Sequence, residues 1–147
     1  GGFGVDGTLS ELAEKHCGLI VANPANGFNK YTRNTDYAGI AELARQGATV
    51  AFSAADNGFG GREDLLWSAL EMQKVIHDDE AVLTMLTYNA AKLLGIENLT
   101  GSLEEGKRAD LVLWSANPIT SYKGAVEMTI ANGEILYRKG DAMKCFL

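Results

Sequence analysis

The chain has 147 residues with a net charge of -6 and 46% hydrophobic and 22% charged residues, an ordinary balance for a globular chain long enough for one domain. The acidic balance, with a pI near 4.9, argues against nucleic acid or an anionic membrane surface as partner. No apolar run approaches the roughly 20 residues of a membrane span, no basic-then-apolar leader opens the chain, and Cys17 and Cys145 form no metal-ligand spacing. The compartment stays open: the chain reads as soluble, cytoplasmic, or exported if an upstream signal peptide was lost.

Residues 6–16 predict a helix, because Leu9, Leu12 and Ala13 recur three and four apart against Glu11, Glu14 and Lys15. Gly18 stops it, and Leu19-Ile20-Val21-Ala22 predicts a short strand buried on both faces, as in a parallel sheet. Residues 23–35, rich in Asn and Gly and holding Pro24, predict a long loop. A second helix is expected over 37–46, capped by Thr35 or Asp36, and a second apolar strand over 48–53. Residues 54–62 then form another loop, with Asp56-Asn57-Gly58 and Gly60-Gly61.

Residues 63–76 predict a third helix with acidic residues in its first turn. A fourth is expected from Asp78 or Asp79 to Leu94, with Val82, Leu83, Leu86, Ala90, Leu93 and Leu94 on its apolar face and Gly95 as its stop. Beyond Gly95 the texture changes to short strands over 110–114, 126–131 and 134–137. Asn132-Gly133 marks a type I′ hairpin. Strand and helix alternate first, then strands follow one another. That order predicts parallel βα units over 1–98 and a small β module over 99–147. Two or three βα units cannot close an eight-stranded barrel of about 250 residues. The open edges of such a sheet call for partners. The chain is therefore expected to need the missing N-terminal part of the same protein or another copy, to be an oligomer, and not to stand as a stable monomer.

Several strings converge. They are Asn89-Ala90-Ala91-Lys92-Leu93-Leu94-Gly95 and Gly101-Ser102-Leu103-Glu104-Glu105-Gly106-Lys107-Arg108-Ala109-Asp110-Leu111-Val112-Leu113-Trp114, then Asn117-Pro118 and the hairpin. Leu43-Ala44 through Gly47 to Val50-Ala51-Phe52 and Thr87-x-Asn89-x-Ala91 join them. Together they resemble the carboxyl-terminal part of the amidohydrolase superfamily of metal-dependent hydrolases, in its imidazolonepropionase-like branch. The resemblance implies an α/β fold: the C-terminal βα units of a TIM-like (β/α)8 barrel, followed by part of a small β-sandwich domain. It implies hydrolysis of an amide or other C–N bond in a small-molecule substrate by a metal-activated water. It also implies a divalent metal, zinc first, in the complete enzyme and none on this chain alone.

The family's histidine ligands lie on earlier strands, and neither His16 nor His77 matches one; each reads as a surface imidazole near a helix end. The family ligand that could fall here is the Asp after the eighth strand, and the candidate is Asp56, both catalytic and metal-binding. The sequence departs from the pattern there: Ala55 stands at the usual position and Asp56 one residue on. A one-residue shift turns a strand side chain to the other face unless a bulge restores it. Asp-Asn-Gly is also a plain turn sequence, and both readings stand. Asn26, Asn29, Tyr31 and Arg33, with Lys30, are candidate substrate-binding residues, since loops at the carboxyl ends of barrel strands build active sites. The alternative is a solvated loop. Residues 104–108 read as a charged turn, with Lys107 and Arg108 in solvent and Asp110 bonding nearby backbone; Trp67 and Trp114 read as core or interface. A rival to the enzyme is a non-catalytic scaffold or binding protein of the same descent that has lost its metal site.

Overall fold

The structure is a computed structural model that describes residues 11, 14, 15, 17–22, 37–53 and 63–141. The expected first helix falls mostly outside these, although Glu11 and Glu14 are helical and the Lys15 amide donates to the Glu11 carbonyl at 3.2 Å.

β1 (Leu19–Ala22) and β2 (Val50–Ser53) pair in parallel, with Leu19 opposite Val50 and Ala22 opposite Ser53. α1 (Tyr37–Arg45) connects them, so the two form a βαβ unit. β2 is the buried strand: Val50, Ala51 and Phe52 are almost wholly covered. β1 is not buried on both faces as expected, since Ile20 is 46% exposed. The difference lies in the layers. α1 packs on β2, and so do α2 (Glu63–Ile76), α3 (Asp79–Leu86) and α4 (Tyr88–Leu93). β1 contributes Leu19 and Val21 only to the margin of the core.

The helices present stripes at the expected spacing. Ile40, Ala41 and Leu43 of α1, Ala69 and Met72 of α2, and Val82 and Met85 of α3 form one core with Val50 and Phe52. Full burial of the larger of these side chains, the Ile, Leu, Met, Val and Phe, stabilises by about 1.5–3 kcal/mol each. Trp67 is not among them: it is 57% exposed on the outer side of α2, as Leu94 is beyond α4.

The helix expected from 78 to 94 is two helices. Thr87 breaks it with φ -122 and ψ -86. The hydroxyls of Thr84 and Thr87 donate to the Glu80 and Leu83 carbonyls, each at 2.8 Å, a back-bonding pattern that bends helices. Asp78 is the cap, accepting the Ala81 amide at 3.0 Å.

β3 (Leu111–Trp114), β4 (Val126–Ala131) and β5 (Glu134–Arg138) form an antiparallel sheet in the order β3-β4-β5. Asn132 and Gly133 both have positive φ, 50° and 81°, as a type I′ turn requires. Among the described residues the β module is this single three-stranded sheet. The segment between β3 and β4 ties it to the helices. Ile119, 2% exposed, joins the helical core, and the Asn117 amide donates to the Asp79 carboxylate at 2.7 Å. No helix among the described residues is long and apolar enough to cross a membrane.

Candidate active-site edge

Parallel strands point their carboxyl ends the same way. Ala22 and Ser53 are opposite one another at that end, so the segments that follow them, 23–36 and 54–62, leave from one edge of the sheet. In α/β folds this is the edge where loops build binding sites. The candidate residues Asn26, Asn29, Lys30, Tyr31, Arg33 and Asp56 all belong to these two segments and lie outside the described residues, as does His16. Topology thus sets side by side the two strand ends, Ala22 and Ser53, from which these segments continue in sequence.

Among the described residues no group of three His, Cys, Asp or Glu side chains stands close enough to hold a metal ion. Zinc takes three or four such ligands. The described residues do not by themselves fit the metal that the resemblance implies. His77 sits between α2 and α3, exposed and at φ 58°, at the end of its helix as its sequence context indicates.

The opposite end of β2 holds a hollow of about 380 Å³ lined by Ala48, Asp78, Glu80, Thr84, Met85 and Asn89, among others. It lies by the amino end of the strand, away from the edge where the loops leave. In barrel folds that end serves stability rather than chemistry. Near the start of α1, burial pushes the Tyr37 phenol above its ordinary value; the Ser68 hydroxyl on α2 draws it part of the way back, and the Glu71 carboxylate adds to the rise.

The charged turn is structural. Gly106 makes it at φ 89°. Lys107 is not solvated, as its place in a charged run suggested, since its side chain is 11% exposed. Its ammonium donates to the Ser102 hydroxyl at 2.6 Å and the Glu104 carboxylate at 3.2 Å, and lies 5.6 Å from the Tyr88 ring centre. The cause is α4, whose Tyr88 offers a face for the lysine stem. Asp110 accepts the Asn132 amide at 2.7 Å and pairs with Arg108 at 3.0 Å.

One side chain that ties a helix to β2 carries no role in the sequence reading. Asn89 enters the sequence reading only within the strings Asn89-Ala90-Ala91-Lys92-Leu93-Leu94-Gly95 and Thr87-x-Asn89-x-Ala91, yet its side-chain amide donates to the Val50 carbonyl of β2 at 2.8 Å. The available signal was a polar residue on the stripe of Leu86, Ala90 and Leu93.

A family model described as "Amidohydrolase family" matches residues 7–136. A 5-methylthioadenosine/S-adenosylhomocysteine deaminase of Desulforudis audaxviator is 38% identical over 84 residues, covering 53% of this chain and 19% of the relative. An imidazolonepropionase of Thermoplasma acidophilum is 30% identical over 117 residues, covering 76% and 28%. The crystal structure of an amidohydrolase from Thermotoga maritima MSB8 superposes with a TM-score of 0.79 at 30% identity, covering 92% of this chain and 35% of that one. An adenosine deaminase from Xanthomonas campestris with bound zinc, 18% identical with a TM-score of 0.66, shares the fold. The chain spans about a fifth to a third of the length of these proteins.

Proposed function

The chain belongs to the amidohydrolase family, and on that premise we propose that it supplies βα units and a β module to an enzyme that breaks C–N bonds by hydrolysis. The observation that carries this reading is the family match over residues 7–136, to which deaminases among the relatives add the bond type. The parallel pair β1-β2 supports it, because the two strand ends that precede the candidate segments lie side by side, at the end where such folds carry their chemistry. The share of each relative's length that is covered supports a place within a longer protein, which would complete the sheet as a TIM-like barrel. That remainder, or a second copy, is the partner that the open sheet edges need.

In this reading Asp56 takes a proton from the attacking water and returns one to the leaving nitrogen, the work of a general base and acid. Asn26, Asn29, Tyr31 and Arg33 contact the substrate. A divalent metal, zinc first, would supply Lewis acidity when bound; its other ligands would come from outside the described residues.

The test is Asp56→Asn in the complete protein, assayed for release of ammonia from 5-methylthioadenosine beside metal analysis and a thermal melt. A general base removed lowers turnover by roughly a hundredfold to ten-thousandfold. The melt should move little, since Asp and Asn both suit turns. Turnover within a few-fold of the parent would remove Asp56 from the chemistry. A parent with neither turnover nor bound metal would favour the scaffold reading, to which Ala55 already points.

A further inference from the structure

β2 has two edges, and the hydrogen bonds say which groups lie on each. The Leu19 amide of the β1 side donates to the Thr49 carbonyl at 2.8 Å. Peptide groups alternate along a strand. Thr49, Ala51 and Ser53 therefore direct their backbone groups to β1, while Val50 and Phe52 direct theirs to the other edge. No described strand pairs with β2 on that edge. The Asn89 amide lies there and donates to the Val50 carbonyl at 2.8 Å from a half-buried position 39 residues away.

We propose that Asn89 is a positioning residue that caps the free edge of β2 at Val50 and so fixes where a further strand can begin to pair. With the Val50 carbonyl taken, the first free acceptor on this edge is the Phe52 carbonyl. A strand joining the edge therefore donates first at Phe52, next to the carboxyl end of β2 at Ser53. The inference rests on the hydrolase reading only for its effect on turnover.

The local structure is built to hold this amide. The break at Thr87 turns α4 away from the line of α3, and that turn brings Asn89 to β2. Ala91, 4% exposed, locks the other side of α4 against Gly101, where a methyl group would stand 2.7 Å from the Ala91 Cβ and 3.1 Å from the Tyr88 Cα. The three named positions of Thr87-x-Asn89-x-Ala91 thus act together: one bends the chain, one reaches the strand and one sets the distance of approach. The strand they hold is closely packed as well, with Val50 and Ala51 at most 1% exposed. A shift of β2 along its axis would carry Ser53 and the segment after it out of place. Misplacement by an ångström can cost a hundredfold in rate.

The experiment uses the complete protein with Asn89→Ala, Asn89→Asp and a control, Asn117→Ala. Asn89→Asp keeps the size and removes the donor. Asn117→Ala removes another long-range side-chain bond, that to Asp79, with the two that Asn117 accepts from the Ile119 and Thr120 amides, and none of these is made to β2. Deuterium exchange is read over residues 48–53, and steady-state turnover of 5-methylthioadenosine is read at a temperature where every variant is folded. Both Asn89 variants should raise exchange in that segment at least about tenfold, since edge bonds set local opening. They should lower kcat at least about tenfold with KM within about threefold of the parent. Asn117→Ala should leave both readings within about twofold. Parental exchange over 48–53 in Asn89→Asp would overturn the cap. Raised exchange with parental kcat would overturn the positioning role. If the parent itself does not turn over this probe, exchange alone decides whether Asn89 holds the strand, and the failure falls on the reaction class.

Discussion

Gly101 and Gly106 allow one packing effect to be weighed alone. Both have positive φ, 98° and 89°, so an alanine at either place is strained by about 1–2 kcal/mol. Their surroundings differ. A Cβ at Gly106 meets nothing within 4 Å. One at Gly101 meets the Ala91 Cβ at 2.7 Å, the Tyr88 Cα at 3.1 Å and the Thr87 carbonyl oxygen at 3.3 Å. Two of these are backbone atoms and the third is a methyl fixed to the backbone, so relief requires α4 to move. Forcing a methyl group into such a place costs about 1–3 kcal/mol beyond the strain. Gly101→Ala should therefore destabilise by about 2–5 kcal/mol and Gly106→Ala by about 1–2 kcal/mol. Urea denaturation of both variants beside the parent reads the difference. At a slope near 2 kcal/mol per molar, the two midpoints should separate by about 0.5–1.5 M. Midpoints that coincide at a small loss would show that α4 does not sit on Gly101 as described. Equal and large losses would show that the backbone angle, not the contact, governs both sites.

Ile119→Ala should cost about 2–5 kcal/mol in the same denaturation assay, as expected for a fully buried aliphatic residue, although its loop sequence gives no hint of burial. Asp78→Ala should cost about 1 kcal/mol through loss of the α3 cap, with Asp78→Asn close to the parent. The Glu104 carboxyl is held below its ordinary value, first by the Ser102 hydroxyl and then by Lys107. A lowered value favours the folded state above the ordinary glutamate range, and that contribution is lost as pH falls through the folded value. An NMR titration should place Glu104 below an unperturbed glutamate, and Lys107→Met should return it upward; an unmoved titration would break the assignment.

The sequence made the βα alternation legible because its signals are local. Helices need stripes at a spacing of three and four, and buried strands need short apolar runs, and residues 37–53 and 63–76 carry both plainly. The Asn132-Gly133 turn and the Asp78 cap were legible for the same reason, since each is decided by two or three neighbouring residues. The break at Thr87 was not. The apolar stripe runs through it, and threonine hydroxyls bonding to the preceding turn leave no mark in hydrophobic periodicity. Lys107 misled because a charged residue in a charged run says nothing of an aromatic face folded back from residue 88. Asn89 and Asn117 were illegible as working residues because their partners lie 39 and 38 positions away. The proposed chemistry was legible only through family resemblance; periodicity reports which face is covered, not where a carboxylate is aimed.

The insertion of Ile119 into the helical core has a bearing on biosynthesis. The α1, α2 and α3 side chains that surround this core are complete once Leu86 has been made, yet the residue that closes it comes 33 positions later. At about 5–20 residues per second, translation needs roughly two to seven seconds to supply it. During that interval the emerging helices hold an uncapped apolar face, and the nascent chain carries its own delay between forming secondary structure and sealing it. A ribosome pausing anywhere between Leu86 and Ile119 would lengthen that exposure without changing a single native contact.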